Sequence, residues 1–313
     1  MTSTGSDSRG ILIGTSGYSF ADWVGPFYPP GTRPGDFLAW YARHFDVVEV
    51  NSTYYRIPHP RVLEQMERKT PPGFHFLVKL NQAMTHEGGR DPVLYRDFLT
   101  AIEPLKRAGK YDGLLAQFPW GFKRSPAALD SLLALRSRLP GEPLFVEFRH
   151  ASWNAPEIWD WLREHTLGFC AVDEPALEGL MPPVAVVTAE DAYVRFHGRN
   201  ARNWWGGGPR RERRVASEAG PARGSSDYSS AAPDLFGAAE PAVADRGRPR
   251  AGSGDRYDYD YSGRELKEWL GKIRELAQQA RRTYLFFNNC HAGQAARNAR
   301  LMQDLLRQQR LPA

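Results

Sequence analysis

Eight short apolar runs recur along the chain, and each ends in residues able to do chemistry. Ile11–Ile13 leads into Gly14-Thr15-Ser16-Gly17, Val47-Val48 into Glu49-Val50-Asn51-Ser52, Phe74–Val78 into Lys79, and Leu114–Ala116 into Gln117-Phe118-Pro119. Leu144–Val146 opens into Glu147-Phe148-Arg149-His150, and Phe169–Val172 into Asp173-Glu174-Pro175. Tyr193-Val194 opens into Arg195-Phe196-His197-Gly198-Arg199, and Tyr284–Phe287 into Asn288-Asn289-Cys290-His291. Helical apolar spacing marks Pro34–Phe45, Pro60–Lys69, Pro92–Ala108, Pro126–Leu139, Pro156–His165, Gly263–Arg282 and Ala295–Gln309 between and after the runs. Several of these stretches begin with proline, which suits a first helical turn. Strands that alternate with helices and carry their polar residues at one end predict an α/β fold, a (β/α)8 TIM barrel with one active mouth.

Two places break the pattern. Between Asp173 and Tyr193 only a segment with a Pro182-Pro183 break is present, so the sixth helix is expected to be short, irregular or missing. Residues 206–256 hold Arg210-Arg211-Glu212-Arg213-Arg214, many Ser and Ala, and almost no periodic apolar residues. Such a segment cannot bury enough apolar surface to offset its ordering entropy, and it is read as a disordered insertion after strand seven. Residues 1–10 read as a disordered tail, and residues 11–313 as a single barrel domain. A hydrophobic fraction of 42% in 313 residues suffices for one large core. Cys170 and Cys290 read as small core residues in a reducing compartment. No apolar stretch approaches the roughly 18 residues that span a bilayer. The amino terminus lacks the apolar core of a secretory signal. The expectation is a cytoplasmic protein with no membrane partner.

Strand residues alternate between the barrel interior and the helix layer. Glu49 with Asn51, Glu147 with Arg149, and Arg195 with His197 each share a face, while Val50, Phe148 and Phe196 fill the other. This points a charged set into the mouth. Arg149 and Arg195, with Lys79 and with His150, His197 and His291 nearby, suggest a phosphate or carboxylate ligand, because arginine binds such groups bidentately. Glycines beside Ser16, His197 and His291 would let backbone N–H groups approach the same anion. Glu147 and His197 are the candidates for proton transfer, as a carboxylate and an imidazole in a partly desolvated pocket can titrate near neutrality. Glu49, Asn51, Lys79, Gln117, Arg149, His150, Asp173, Arg195, Asn288, Asn289 and His291 are the candidates for substrate binding. No metal is assigned, since no His-x-x-x-His or Cys-x-x-Cys spacing occurs and the cations would repel one. No cofactor is assigned either. The competing structural reading is an ion-pair network in which Glu49, Glu147 and Asp173 neutralise Lys79, Arg149 and Arg195.

Aromatic residues crowd the same end: Tyr18, Trp23, Phe27, Tyr28, Tyr54, Tyr55, Trp120, Trp153, Trp204 and Trp205. Trp23 and Tyr28 read as a packed turn, whereas Trp204 and Trp205 abut the insertion and are harder to explain as core. Tyr257-Asp258-Tyr259-Asp260-Tyr261 could cover the mouth or simply re-enter the fold. These features allow three functions. One is an enzyme acting on a phosphate- or carboxylate-bearing substrate, such as a nucleotide or nucleic-acid fragment. The second is a non-catalytic module for single-stranded nucleic acid, consistent with a formal charge of +5. The third is a metal-dependent hydrolase. Oligomeric state is left open.

Taken together the motifs resemble the YecE-like family, domain of unknown function 72. The resemblance is carried by Gly14-Thr15-Ser16-Gly17-Tyr18 with Trp23 and Phe27-Tyr28-Pro29, then Glu49-Val50-Asn51-Ser52-Thr53-Tyr54-Tyr55-Arg56. It continues through Val78-Lys79, Gln117-Phe118-Pro119, Glu147-Phe148-Arg149-His150 with Trp153, Arg195-Phe196-His197-Gly198-Arg199 and Phe287-Asn288-Asn289. It spans nearly the whole chain outside the tail and the insertion. It implies a TIM barrel and no established reaction. A likeness of that barrel to the apurinic-site endonuclease and xylose-isomerase group stays at the level of fold.

Overall fold

The structure, a computed structural model, describes residues 10–205 and 255–309. Among them eight parallel strands form one sheet: β1 (Gly10–Thr15), β2 (Val47–Val50), β3 (His75–Lys79), β4 (Tyr111–Gln117), β5 (Leu144–Glu147), β6 (Gly168–Asp173), β7 (Ala192–Phe196) and β8 (Arg282–Phe287). Their order, β1-β8-β7-β6-β5-β4-β3-β2, makes every hydrogen-bonded neighbour a neighbour in sequence, apart from the β1–β8 pair that brings the chain's ends together. That is the predicted barrel.

The seam between β1 and β2 shows how the ring closes. Ser16 bridges Glu49, and the Gly17 N–H donates to the Glu49 carbonyl at 2.9 Å. Lower down, a side chain replaces the ladder. The buried Tyr41 hydroxyl accepts from the Thr15 N–H at 2.9 Å and donates to the Val47 carbonyl at 3.0 Å. Gly14 is required here for space, since a Cβ at that position would stand 2.2 Å from the Val47 oxygen.

Side-chain parity divides the core in two. Val47, Leu77, Leu115, Phe145, Cys170, Tyr193, Tyr284 and Phe286 pack against one another inside the barrel. The alternate residues, among them Val48, Val78, Ala116, Val146, Val194 and Phe287, join the larger core beneath the helices. The helices Pro60–Arg68, Pro92–Arg107 and Pro126–Arg138 each start with proline behind a capping side chain, from His59, Asp91 and Ser125 respectively. The cap satisfies an orphan N–H of the first turn, and proline removes another.

Some spans differ from expectation. Pro34–Phe45 is a 3-10 turn, Pro34–Asp36, followed by a short helix, Phe37–Tyr41. The stretch Gly263–Arg282 divides into Gly263–Lys267 and Leu270–Gln279, and Arg282 already belongs to β8. The break lies at Trp269, whose indole N–H is bound to Asp173 Oδ2 at 2.5 Å. No helix joins β6 to β7. Thr188 secures that extended connection by accepting from the Phe169 N–H at 2.6 Å and donating to the Leu167 carbonyl at 2.7 Å. The expected tail and insertion fall outside the described residues except at their edges, where Gly10 begins β1 and Asp255–Tyr257 form a 3-10 turn. No helix among the described residues is long and apolar enough to cross a membrane.

The seam gives a direct test. Tyr41→Phe keeps the ring but leaves the Thr15 N–H and Val47 C=O without their shared partner. A loss of about 1–3 kcal/mol in urea unfolding is expected; an unchanged midpoint would mean that the hydroxyl does not hold the barrel closed.

Candidate active site

The interior parity that fills the barrel with apolar residues continues upward into polar ones. Two residues beyond Val47, Leu77, Leu115, Phe145 and Tyr193 stand Glu49, Lys79, Gln117, Glu147 and Arg195, and two beyond Phe286 stands Asn288. They surround the floor of a cavity of about 420 Å³ at the C-terminal mouth. Its lining includes Ser16, Asn51, Tyr54, Tyr55, Lys79, Gln117, Arg149, Arg195, Tyr257, Asn288, Cys290 and His291.

Arg195 organises the floor. Its Nη2 donates to Glu49 Oε1 at 2.7 Å and its Nη1 to Glu147 Oε2 at 2.6 Å. The Tyr193 hydroxyl and the Asn51 amide complete Glu49, at 2.5 and 2.9 Å. Arg149 Nε donates to Glu147 Oε1 at 2.5 Å, and its Nη1 to Glu174 Oε2 at 3.1 Å. All of these side chains are buried except Asn51, which is half-buried. Glu49, Glu147, Glu174 and His197 lie outside the cavity lining, whereas Lys79, Arg149 and Arg195 belong to it. These three carboxylates therefore stand behind the cations, and Asp22 is the carboxylate of the lining itself.

Burial and charge set the protonation states. Desolvation would raise the Glu147 pKa, but Arg149, Arg195 and His197 together outweigh it and hold the carboxyl well below its usual range. Burial, joined by the Arg149 cation, lowers His197 to about 3. Asn288 Nδ2 lies 3.0 Å from His197 Nδ1. The amide donates there, which assigns the imidazole proton to Nε2. That nitrogen sits 3.3 Å from Glu147 Oε1, a contact too bent to count as a hydrogen bond. The two expected proton carriers are thus a fixed carboxylate and a fixed neutral imidazole at neutral pH.

Lys79 and Glu174 titrate instead. Desolvation, reinforced by Arg195, brings the half-buried Lys79 amine down to about 7, against the pull of Glu147 and Glu49. Desolvation lifts Glu174 to about 7 although Arg149 opposes it. Lys79 Nζ donates to Gln117 Oε1 at 3.0 Å and lies 4.2 Å from the Tyr54 ring centroid. It forms no ion pair among the described residues.

Four of the residues expected at the site are placed elsewhere or at its edge. Asp173 has the outward parity of β6. It binds Arg199 through Oδ1 at 2.9 Å and Oδ2 at 2.7 Å, the Tyr261 hydroxyl at 2.6 Å and the Trp269 indole. Asn289 also faces outward, donating to the Tyr259 carbonyl at 2.7 Å and to Asn298 Oδ1 at 2.6 Å. His150 caps the turn that follows it, accepting from the Ser152 N–H at 3.0 Å. His291 is exposed at the rim. The N–H groups of Gly17 and Gly198 are not available to an anion, being bound to the Glu49 carbonyl and the Tyr261 hydroxyl. Trp204 is buried, with Arg149 and Arg256 over its ring, while Trp205 is exposed and meets Trp120 at 5.4 Å. The tyrosine run re-enters the fold through buried Tyr261 and leaves Tyr257 in the cavity wall.

Sequence reasoning missed Glu174, Cys290 and Asp22, a carboxylate of the cavity lining that accepts from the Ala292 N–H at 2.7 Å. Counting in twos from Cys170 through Val172 reaches Glu174 and not Asp173, so pleat parity carried the signal. Cys290 lines the cavity, with its Sγ 3.4 Å from the Ser16 carbonyl. Among the described residues no three His, Cys, Asp or Glu side chains group in a way that could hold a metal ion.

Residues 12–313 match the family model described as "Protein of unknown function DUF72". YunF of Bacillus subtilis, a UPF0759 protein, is 29% identical over 315 residues, spanning 95% of this chain and 94% of its own length. YecE of Escherichia coli K12, also a UPF0759 protein, is 34% identical over 150 residues, which are 46% of this chain and 50% of YecE. The crystal structure of a DUF72 family protein from Thermotoga maritima is 38% identical, covers 95% of this chain and 99% of its own, and superposes with a TM-score of 0.74. A DUF72 protein from Enterococcus faecalis shares the fold at 23% identity, with 95% of each chain covered and a TM-score of 0.72.

The displaced lysine pKa predicts a pH-dependent stability. The unfolded chain keeps the Lys79 proton up to about 10.5, whereas the folded chain releases it above about 7. Stability therefore rises with pH across that window, and the whole penalty remains below it. Lys79→Met should gain stability over the wild type most at pH 6, with a narrower gap at pH 9, as read by urea unfolding. A gap that is constant or widens with pH would refute a folded state that disfavours the charged amine.

Proposed function

The chain belongs to the DUF72 family, and from the charges lining its barrel mouth we propose that it is an enzyme acting on a small substrate that bears a phosphate or a carboxylate. One observation carries this reading: Lys79, Arg149 and Arg195 line the 420 Å³ cavity against a single lining carboxylate among the described residues, Asp22, while Glu49 and Glu147, which pair with the two arginines, stand behind. A cavity of this size suits a small ligand, and the C-terminal mouth is where barrels of this kind place their chemistry. Arg195, only 1% exposed, contributes field more than contact. Arg149 and Lys79 reach the ligand, and Asn51, Gln117 and Asn288 orient it. Lys79 takes the acid–base role, because its pKa of about 7 lets it gain and lose a proton at neutral pH. The reaction belongs in a reducing cytoplasm, which keeps the Cys290 thiol at the mouth unoxidised.

A polymer-binding module is the alternative, favoured by the exposed Trp120–Trp205 pair beside the mouth. The arginine-rich run Arg210-Arg211-Glu212-Arg213-Arg214 lies outside the described residues. Salt separates the readings, since a single-stranded oligonucleotide should lose affinity steeply between 50 and 200 mM salt, whereas a small ligand held in the cavity should not.

Calorimetry with inorganic phosphate, then with small phosphorylated and carboxylated compounds, tests the enzyme reading. Binding should tighten from pH 8 to pH 6 as Lys79 becomes charged. Lys79→Gln should weaken it roughly 10- to 100-fold, the equivalent of one charged hydrogen bond. Absence of heat with every anion, or affinity untouched by the substitution, would overturn it.

A further inference from the structure

We propose that the Lys79 amine is a nucleophile that forms an imine with an aldehyde or ketone whose anionic group the mouth holds. The inference rests on the anion-binding reading above and narrows its substrate to anionic carbonyl compounds.

Lys79 differs from Lys110 and Lys106 in what its nitrogen touches, and from half-buried Lys272, which donates to the Pro183 carbonyl at 2.5 Å, in opening onto the cavity. Lys110 Nζ is committed to Glu67 Oε1 at 3.0 Å and to the carbonyls of Glu67 and Thr70 at 2.8 and 2.9 Å. Lys106 Nζ is paired with Glu142 Oε1 at 2.6 Å. Both would break an ion pair on losing a proton. Lys79 has Gln117 Oε1, a neutral acceptor, at 3.0 Å and the Tyr54 ring at 4.2 Å, so the unprotonated amine keeps a partner for one N–H. Its backbone is fixed, since the Thr53 hydroxyl donates to the Lys79 carbonyl at 2.6 Å. The amine therefore enters the cavity from a rigid strand end, as a positioned nucleophile requires. Burial and Arg195, by lowering its pKa to about 7, supply a large fraction of free amine at neutral pH.

The chemistry balances without a cofactor. The nitrogen lone pair forms the C–N bond as the carbonyl π bond opens, and one N–H proton passes to the new oxygen. The nitrogen lone pair then forms the C=N bond as the C–O bond breaks, and the second N–H proton passes through solvent to the departing oxygen, so each imine releases one water molecule. Protonation of the imine creates a cation beside Arg149 and Arg195. The anionic group of the substrate offsets that charge, which is why an anionic carbonyl compound suits this mouth better than a neutral one.

Reductive trapping tests the step. The full chain is incubated at pH 7 with glyoxylate or pyruvate and sodium cyanoborohydride, then examined by intact mass and peptide mapping. One adduct at Lys79 is expected, ahead of exposed lysines such as Lys69 and Lys123, and several-fold weaker labelling with neutral propionaldehyde. Lys79→Arg, which keeps the charge and whose folding is checked by thermal melting, should abolish the adduct. Labelling spread over surface lysines with Lys79 unmodified would overturn the proposal. Phosphate calorimetry on the same preparation separates the two readings: phosphate binding without a Lys79 adduct removes the imine alone, whereas loss of both removes the anion site as well.

Discussion

The upper barrel depends on one guanidinium. Arg195 spans from Glu49 on β2 to Glu147 on β5, joining strands that are not neighbours in the sheet. Taking such ions out of water is expensive, and partners offset the cost. Tyr193, Asn51, Ser16 and Arg149 provide them, although the Arg195 Nε is left without one. Removing any one partner would strand a charge in a medium that cannot solvate it. The network is therefore the base on which the cavity is built, and it matches the competing reading only in part: Glu49 and Glu147 pair with Arg195 and Arg149, whereas Asp173 pairs with Arg199 and Lys79 has no ion pair among the described residues. Its rigidity leaves few atoms free to change state, and those are concentrated at Lys79 and Glu174.

Much of this was legible in the chain. The recurrence of apolar runs with polar ends gives the barrel, and a period of two within each run brings Glu49, Lys79, Gln117, Glu147, Arg195 and Asn288 to a common mouth. Legibility ended where a strand passes into its loop. At Asp173-Glu174 and Asn288-Asn289 both residues are polar, and composition alone does not say which faces inward. The apolar positions below them do, but only once the interior set is known. His150 reads as a ligand in a list of histidines, yet its ring nitrogen is occupied by the adjacent turn.

Protonation was less legible still. Glu147 and His197 look like an acid–base pair because their ordinary pKa values flank a useful range. Burial beside two arginines fixes both, and neither depth nor neighbours at that resolution can be read from residue types. Lys79 shows the converse. Its unperturbed chemistry suggests a permanent cation, and only its burial, with Arg195 nearby and no carboxylate bound to it, makes its charge adjustable.

Asp173 lies away from the cavity, yet it settles how this barrel can change over evolution. Arg199, ahead of residues 206–254, and Tyr261, after them, end on the same carboxylate. Both ends of that long connection are thus pinned to one point on β6. Closing a loop between fixed ends costs about 0.6 kcal/mol for each doubling of its length when the segment is flexible. By this measure residues gained or lost between Trp205 and Asp255 cost little, and they reach the mouth through Trp204 against Arg149 and Tyr257 in the cavity wall.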